Sequence, residues 1–233
     1  MLRCMKELFG YAVVAPDGRI GKVTDFLFDE QTHDIRYMVA DTGGWLDRHP
    51  VLVAPVAFGR LRWPARDFPV TISREQVRNS PAPLPGTPLS RQHEQDLHSH
   101  YEWLPYWFGH SHPAVRATVP GAVGHERPLC RAREVLGYRL RATDSAFGHV
   151  ADFVIDESRW RLQSMVVDTE HWWEPDLVMV EMAAFHGLDG AEHQALVGLG
   201  ERQIRESPRY RPSAIASREN ETVLYDYRGR PRL

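Results

Sequence analysis

The chain states one pattern twice. Glu7-Leu8-Phe9-Gly10-Tyr11 recurs as Glu134-Val135-Leu136-Gly137-Tyr138, an offset of 127 residues (Glu7 to Glu134) that then holds without a gap. Gly21 falls on Gly148, Asp25-Phe26 on Asp152-Phe153, Asp29-Glu30 on Asp156-Glu157, Asp41-Thr42 on Asp168-Thr169, Trp45 on Trp172 and Ser80-Pro81 on Ser207-Pro208. About 26 of 75 positions match between residues 7–81 and 134–208, too many for chance at one fixed offset. Two similar folding units are therefore expected. A residue kept in both copies serves the fold or a duplicated site, and a residue found in one copy serves neither by default.

Each copy reads as a series of short strands. In the first these are Tyr11–Ala15, Arg19–Asp29, Ile35–Asp41, Val51–Ala54, Phe58–Arg62 and Phe68–Ile72. Pro16-Asp17-Gly18 between the first two is a hairpin signal. Alternation fails around Gly21, which predicts a bulge or a close backbone approach there. Ile35–Asp41 is apolar on both faces, as a strand covered on both sides would be. Ser73 and Gln76 have the spacing of a capping box, so a short helix starts at Ser73. The second copy gives Tyr138–Ala142, Phe147–Asp156, Leu162–Asp168, Leu177–Glu181 and Ala195–Leu199, then a short helix around 201–206. Short strands at close spacing with Gly, Pro and Asp turns predict a small barrel or sandwich.

The repeat extends past the strands. Ser90-Arg91 matches Ser217-Arg218, Glu94 matches Glu221 and Leu97 matches Leu224. Ser90–Tyr101 has an N-cap and no breaker, so it reads as a helix. Its apolar stripe of His93, Leu97 and Tyr101 is thin, and such a helix needs something to pack on. The expected organisation is a first barrel over 1–83, a spacer and helical tail over 84–107, a linker over 108–128, a second barrel over 129–210 and a C-terminal tail over 211–233. A fused pair of this kind would mimic a homodimer, so an intramolecular pseudo-dimer of the barrels is expected, with exchange of the helical tails between the halves.

Composition narrows the function classes. The net charge of −3 leaves no basic surplus to neutralise phosphates, so nucleic-acid binding is not expected. Two cysteines, Cys4 and Cys130, are too few for a disulfide scaffold or a Cys-rich metal site. Two free thiols are the plain reading and a bridge between them the alternative. No signal peptide or membrane span is read, and a cytoplasmic protein is the default.

The ordered series Leu8-Phe9-Gly10-Tyr11, Arg19–Asp29, Ile35–Trp45, Val70–Val77 and the tail from Ser90 to Trp107 resembles the PRC-barrel family. The second copy resembles it more loosely over Val135–Pro208. That family includes the cytoplasmic domain of the photosynthetic reaction-centre H subunit, a domain of a ribosome-maturation factor and many small bacterial proteins. The resemblance implies a six-stranded β-barrel used as a docking module, usually without catalysis.

Four sets of residues are candidates for function. Asp25, Asp29 and Asp41, mirrored by Asp152, Asp156 and Asp168, are the best-kept polar group; carboxylates so placed either bind a hard cation or hydrogen-bond turn amides. Trp45 sits in a Gly-Gly loop, and Trp172-Trp173 stands opposite it; each either packs on a barrel or meets a partner. His93, His98, His100, His110 and His112 form a His-rich tract that matches no zinc spacing. Trp103, Tyr106 and Trp107 close the first tail, either docked across the other barrel or exposed to a partner. No nucleophile elbow, Cys–His pair, phosphate loop or dinucleotide fingerprint is present in the sequence. The expectation is a non-catalytic, cofactor-free interaction module that docks on a protein complex, including one at a membrane surface. A protein partner would be met through Trp45, Trp103, Tyr106, Trp107, Trp172 and Trp173. The alternative is a small-molecule or metal-ion sensor using the acidic rim or the His-rich tail.

Overall fold

The computed structural model describes residues 1–46, 49–83, 87–108, 129–169 and 177–211. In chain order the elements are β1 (Leu2–Cys4), α1 (Met5–Leu8), β2 (Ala12–Ala15), β3 (Gly18–Phe28), β4 (Ile35–Asp41), β5 (Pro50–Val53), β6 (Asp67–Pro69), α2 (Arg74–Arg78) and α3 (Arg91–His100). There follow β7 (Cys130–Arg131), α4 (Ala132–Val135), β8 (Arg139–Arg141), β9 (Ala146–Asp156), β10 (Arg161–Asp168), β11 (Leu177–Glu181), β12 (Phe185–Asp189), β13 (Gln194–Val197) and α5 (Glu201–Arg205). The protein is mainly β, in two barrel-like sheets. One runs β5-β4-β3-β2-β6 with β7 added on β3; the other runs β11-β10-β9-β8-β13-β12 with β1 added on β9. The expected closed barrels are open among the described residues, because the end strands of each order do not pair.

The chain divides into two compact units that do not coincide with the repeats. One holds Gly10–Thr24 and Tyr37–Leu129; the other holds Met1–Phe9, Asp25–Arg36 and Cys130–Leu233.

In the Gly10–Thr24/Tyr37–Leu129 unit, Ala15 pairs with Gly18, so Pro16-Asp17 is the two-residue turn that the sequence predicts. β2 then pairs with β6 in parallel. A Cβ at Gly21 would overlap the carbonyl of Asp41, which explains the break in alternation as a close backbone approach. Ser73 caps α2 with Gln76 returning the bond, and Asp17 takes the N–H of Arg74 at 2.9 Å. The strand expected over Phe58–Arg62 does not form; only the isolated bridges Phe58–Val70 and Arg62–Asp67 remain. Pro64 and Pro69 withhold ladder donors there. The matching positions in the second copy are Ala191 and Leu196, and there a full β12–β13 hairpin forms, which the sequence reading did not include.

The other unit repeats these bonds at the same offset. Gly10 N–H donates to Val23 and Gly137 N–H to Val150, both at 2.8 Å, and both glycines take positive φ. Asp144 takes the N–H of Glu201 as Asp17 takes that of Arg74. A Cβ at Gly148 would overlap the carbonyl of Asp168, as at Gly21. Met5, Leu8, Phe26, Phe28, Leu140, Phe153 and Ile155 are fully buried in this unit.

Candidate functional site

The acidic set resolves into three pairs, none free to act as a bare carboxylate. Asp25 accepts the N–H of Phe26 at 2.8 Å and of Arg133 at 2.9 Å, and Arg131 lies 3.1 Å from its other oxygen. Asp152 accepts Phe153 N–H at 2.7 Å and Lys6 N–H at 3.1 Å. Each therefore closes the first turn of a short helix, α4 or α1, that belongs to the other repeat. Burial pushes both carboxyls up, Asp152 to about 6. Asp29 accepts from Gln31, Thr32 and Arg36; burial opposes its ionisation, but these donors outweigh it and hold it below the usual range. Asp156 does the same with Ser158, and Asp41 accepts Gly43 N–H at 2.9 Å. Asp168 supplies the carbonyl packed on Gly148. These are turn and cap roles. Among the described residues, no three His, Cys, Asp or Glu side chains converge to hold a metal.

The first tail builds a buried polar cluster against β4. α3 is N-capped by Ser90 and lays Leu97 and Tyr101 into the core. Its buried face carries Glu94 and His98 against Tyr37 of β4. Tyr37 donates to Glu94 Oε2 at 2.9 Å and lies 2.9 Å from His98 Nε2. Tyr106 donates to the same Glu94 oxygen at 2.7 Å, and Arg91 lies 3.2 Å from the other. With three donors Glu94 is a carboxylate. Tyr37 then has no second proton to give, so His98 donates from Nε2. Burial pushes the Tyr37 and Tyr106 hydroxyls up, with Glu94 adding to it, and pushes His98 down.

Trp103, Tyr106 and Trp107 ring His98, with centroids 5.8, 6.1 and 4.9 Å away. Trp103 also stacks on Tyr101 at 4.3 Å, and Arg91 lies 4.2 Å over Trp107. The tail thus docks on its own repeat through Tyr37, which corrects the expectation that it crosses to the other barrel or is exchanged between the halves. The three aromatics are half-buried, and Leu104 between them is 91% exposed. Sequence reasoning missed Tyr37, Arg91 and Glu94; Arg91 and Glu94 carried a signal, since Arg218 and Glu221 match them.

Trp45 lies in a short 3-10 turn over Gly43–Leu46. Its side chain, Trp172, Trp173, His110, His112 and the second tail lie outside the described residues. His93 lies in the first turn of α3, its N–H on the Ser90 side chain, and His100 Nε2 lies 2.8 Å from the Gln76 carbonyl. Neither cysteine is in a disulfide; Cys4 is buried, 2.7 Å from the Tyr210 hydroxyl, and burial pushes its thiol up to about 12. No helix among the described residues is long and apolar enough to cross a membrane.

No curated protein matches the chain. The family model of the PRC-barrel domain matches residues 5–62, from the first turn of α1 to the bridge at Arg62. The chain thus resembles the PRC-barrel family over residues 5–62 of its first repeat, and a second barrel-like sheet follows that stretch.

Proposed function

We propose that the chain is a non-catalytic cytoplasmic interaction module that docks on a protein complex, and that its two repeats, 1–83 and 129–210, form an intramolecular pseudo-dimer. The observation that carries the docking reading is the PRC-barrel domain itself, a fold used for protein contacts. The acidic residues kept in both repeats support it, because Asp25, Asp29, Asp152 and Asp156 are all engaged by amides of the fold. Trp45, Trp103, Tyr106, Trp107, Trp172 and Trp173 are the proposed partner contacts. In the first tail, Leu104 stands exposed between half-buried aromatics, an arrangement suited to the apolar centre of a small interface.

The test is affinity capture from the native host, followed by mass spectrometry, with wild type, Leu104→Glu and Trp45→Ala compared at equal thermal stability. Loss of the same captured protein from both variants supports the reading. Capture unchanged in both contradicts it. A rise in melting temperature with a divalent metal or a metabolite in a parallel screen would favour the sensor alternative instead.

A further inference from the structure

The bonds that join the two repeats are reciprocal. The lead segment of the first repeat pairs onto the second: Arg3 faces Ile155 and Cys4 faces Val154. The lead segment of the second pairs onto the first: Cys130 faces Phe28 and Arg131 faces Leu27. Adding the 127-residue offset to one set gives the other. The same holds for the caps, Arg133 on Asp25 and Lys6 on Asp152. It holds again at the strand turns, where Ile35 N–H donates to the Trp160 carbonyl at 2.8 Å and Leu162 N–H to that of His33 at 2.9 Å. His33 and Trp160 are equivalent positions, and both take positive φ. All these residues lie in one compact unit.

One pair in this set is its own equivalent. Asp34 and Arg161 are 127 residues apart and bridge to each other. In a homodimer of either repeat, that position would meet its own copy. Two Asp34 or two Arg161 side chains would then face one another across an antiparallel bridge. In this chain the guanidinium lies 3.9 Å from the carboxylate. Asp34 also lies 3.3 Å from Arg36, so a second aspartate meets a partly neutralised site, whereas a second arginine would set two guanidiniums together, with Asp156 facing each across β9–β10.

We infer that each repeat carries a surface whose partner is another copy of the repeat, held by exchange of the lead segments, and that Asp34 opposite Arg161 directs this surface to the unlike repeat rather than to a like one. This rests on the internal-pair reading above and not on the docking partner. Exchange of a short strand and helix between equivalent units is the way a swapped dimer closes, and here closure occurs within one chain. Opposite charges at the shared position select the unlike pair and like charges oppose the alternatives.

The experiment uses the full chain with a protease recognition sequence inserted between residues 109 and 128. After folding and cutting, the two fragments are expected to co-elute at the volume of the uncut protein. Their separation, soluble or as a precipitate, overturns the internal pair. Native mass spectrometry should then show one N-terminal with one C-terminal fragment. Pairs of identical fragments keep the internal surface but overturn the charge assignment. Arg161→Asp should weaken fragment association about 2- to 10-fold more than Arg161→Ala. Equal effects of the two substitutions overturn the role of the pair.

Discussion

Asp25 holds the backbone N–H of Arg133, a residue 108 positions away in the first turn of the other repeat's helix. Asp152 holds Lys6 in the same way. A short helix leaves its first N–H groups without partners, and α1 and α4 have no side-chain cap of their own. The aspartates kept in both copies supply those caps across the repeats. This is why Asp-Phe recurs at 25–26 and 152–153: the same oxygen takes the amide of the following Phe.

The cap makes stability depend on pH in an unusual direction. Burial, above all, pushes the Asp152 carboxyl up to about 6 from its usual 3.8, against the pull of its two amides and Lys6. The folded protein therefore holds this proton more tightly than the unfolded chain. The stability it contributes is full below about pH 4 and is lost as pH rises through about 6, a change of about 3 kcal/mol. Asp152→Asn keeps an acceptor oxygen and removes the titration, so it should flatten this decline in urea unfolding between pH 4 and 7. Asp152→Ala removes the acceptor and should cost about 1–2 kcal/mol at pH 4–5.

The two crossing glycines should tolerate no side chain. Gly21→Ala and Gly148→Ala each drive a methyl into a backbone carbonyl, of Asp41 or Asp168. A loss of about 3 kcal/mol or more is expected for each by denaturant unfolding. Gly148 has positive φ as well, so its loss should be the larger. Gly44→Ala, with open space around its Cβ, should stay within about 0.5 kcal/mol of wild type.

The tail is latched by Tyr37. Tyr37→Phe removes a donor from buried Glu94 and a partner from His98, and should cost about 1–3 kcal/mol at pH 7. Burial lowers the His98 pKa, although the Trp103 and Leu104 carbonyls pull the other way. Its neutral form contributes stability above about pH 6.5 that is lost as pH falls below it. His33 and His93 are lowered by burial too. This loss at low pH runs against the Asp152 slope, so the readout is the difference from wild type: His98→Asn, which takes up no proton, should gain on wild type in urea-unfolding stability as pH falls from 7 to 5.

The thiols should separate by reactivity. Cys4 is buried with its pKa at about 12, so it carries almost no thiolate at pH 8. Cys130 is partly exposed. A thiol reagent should label Cys130 in the native protein and Cys4 only on unfolding; equal labelling of both would contradict the burial of β1.

The sequence made the strands, the hairpin at Pro16-Asp17, the capped helix at Ser73 and the crossing at Gly21 legible, because each is decided by local chemistry: a turn, a cap, a missing Cβ. The repeat made Asp25 and Asp152 visible, but not whose amides they hold. That depends on which repeat donates its lead segment, and strand pairing across more than 100 residues leaves no local trace. The Tyr37–Glu94–His98 cluster was hidden for the same reason, since its members come from separate elements. His98 looked like part of a solvated His-rich tract and is 4% exposed. The missing strand at Phe58–Arg62 was legible in hindsight from Pro64 and Pro69.

The exchange of lead segments is tested most directly by amide hydrogen exchange at Lys6 and Arg133 in Asp25→Ala and Asp152→Ala. The account predicts a crossed result: Asp25→Ala speeds exchange at Arg133 and spares Lys6, while Asp152→Ala speeds it at Lys6 and spares Arg133. If each substitution instead exposes the helix of its own repeat, Asp25 acting on Lys6 and Asp152 on Arg133, the exchange does not occur.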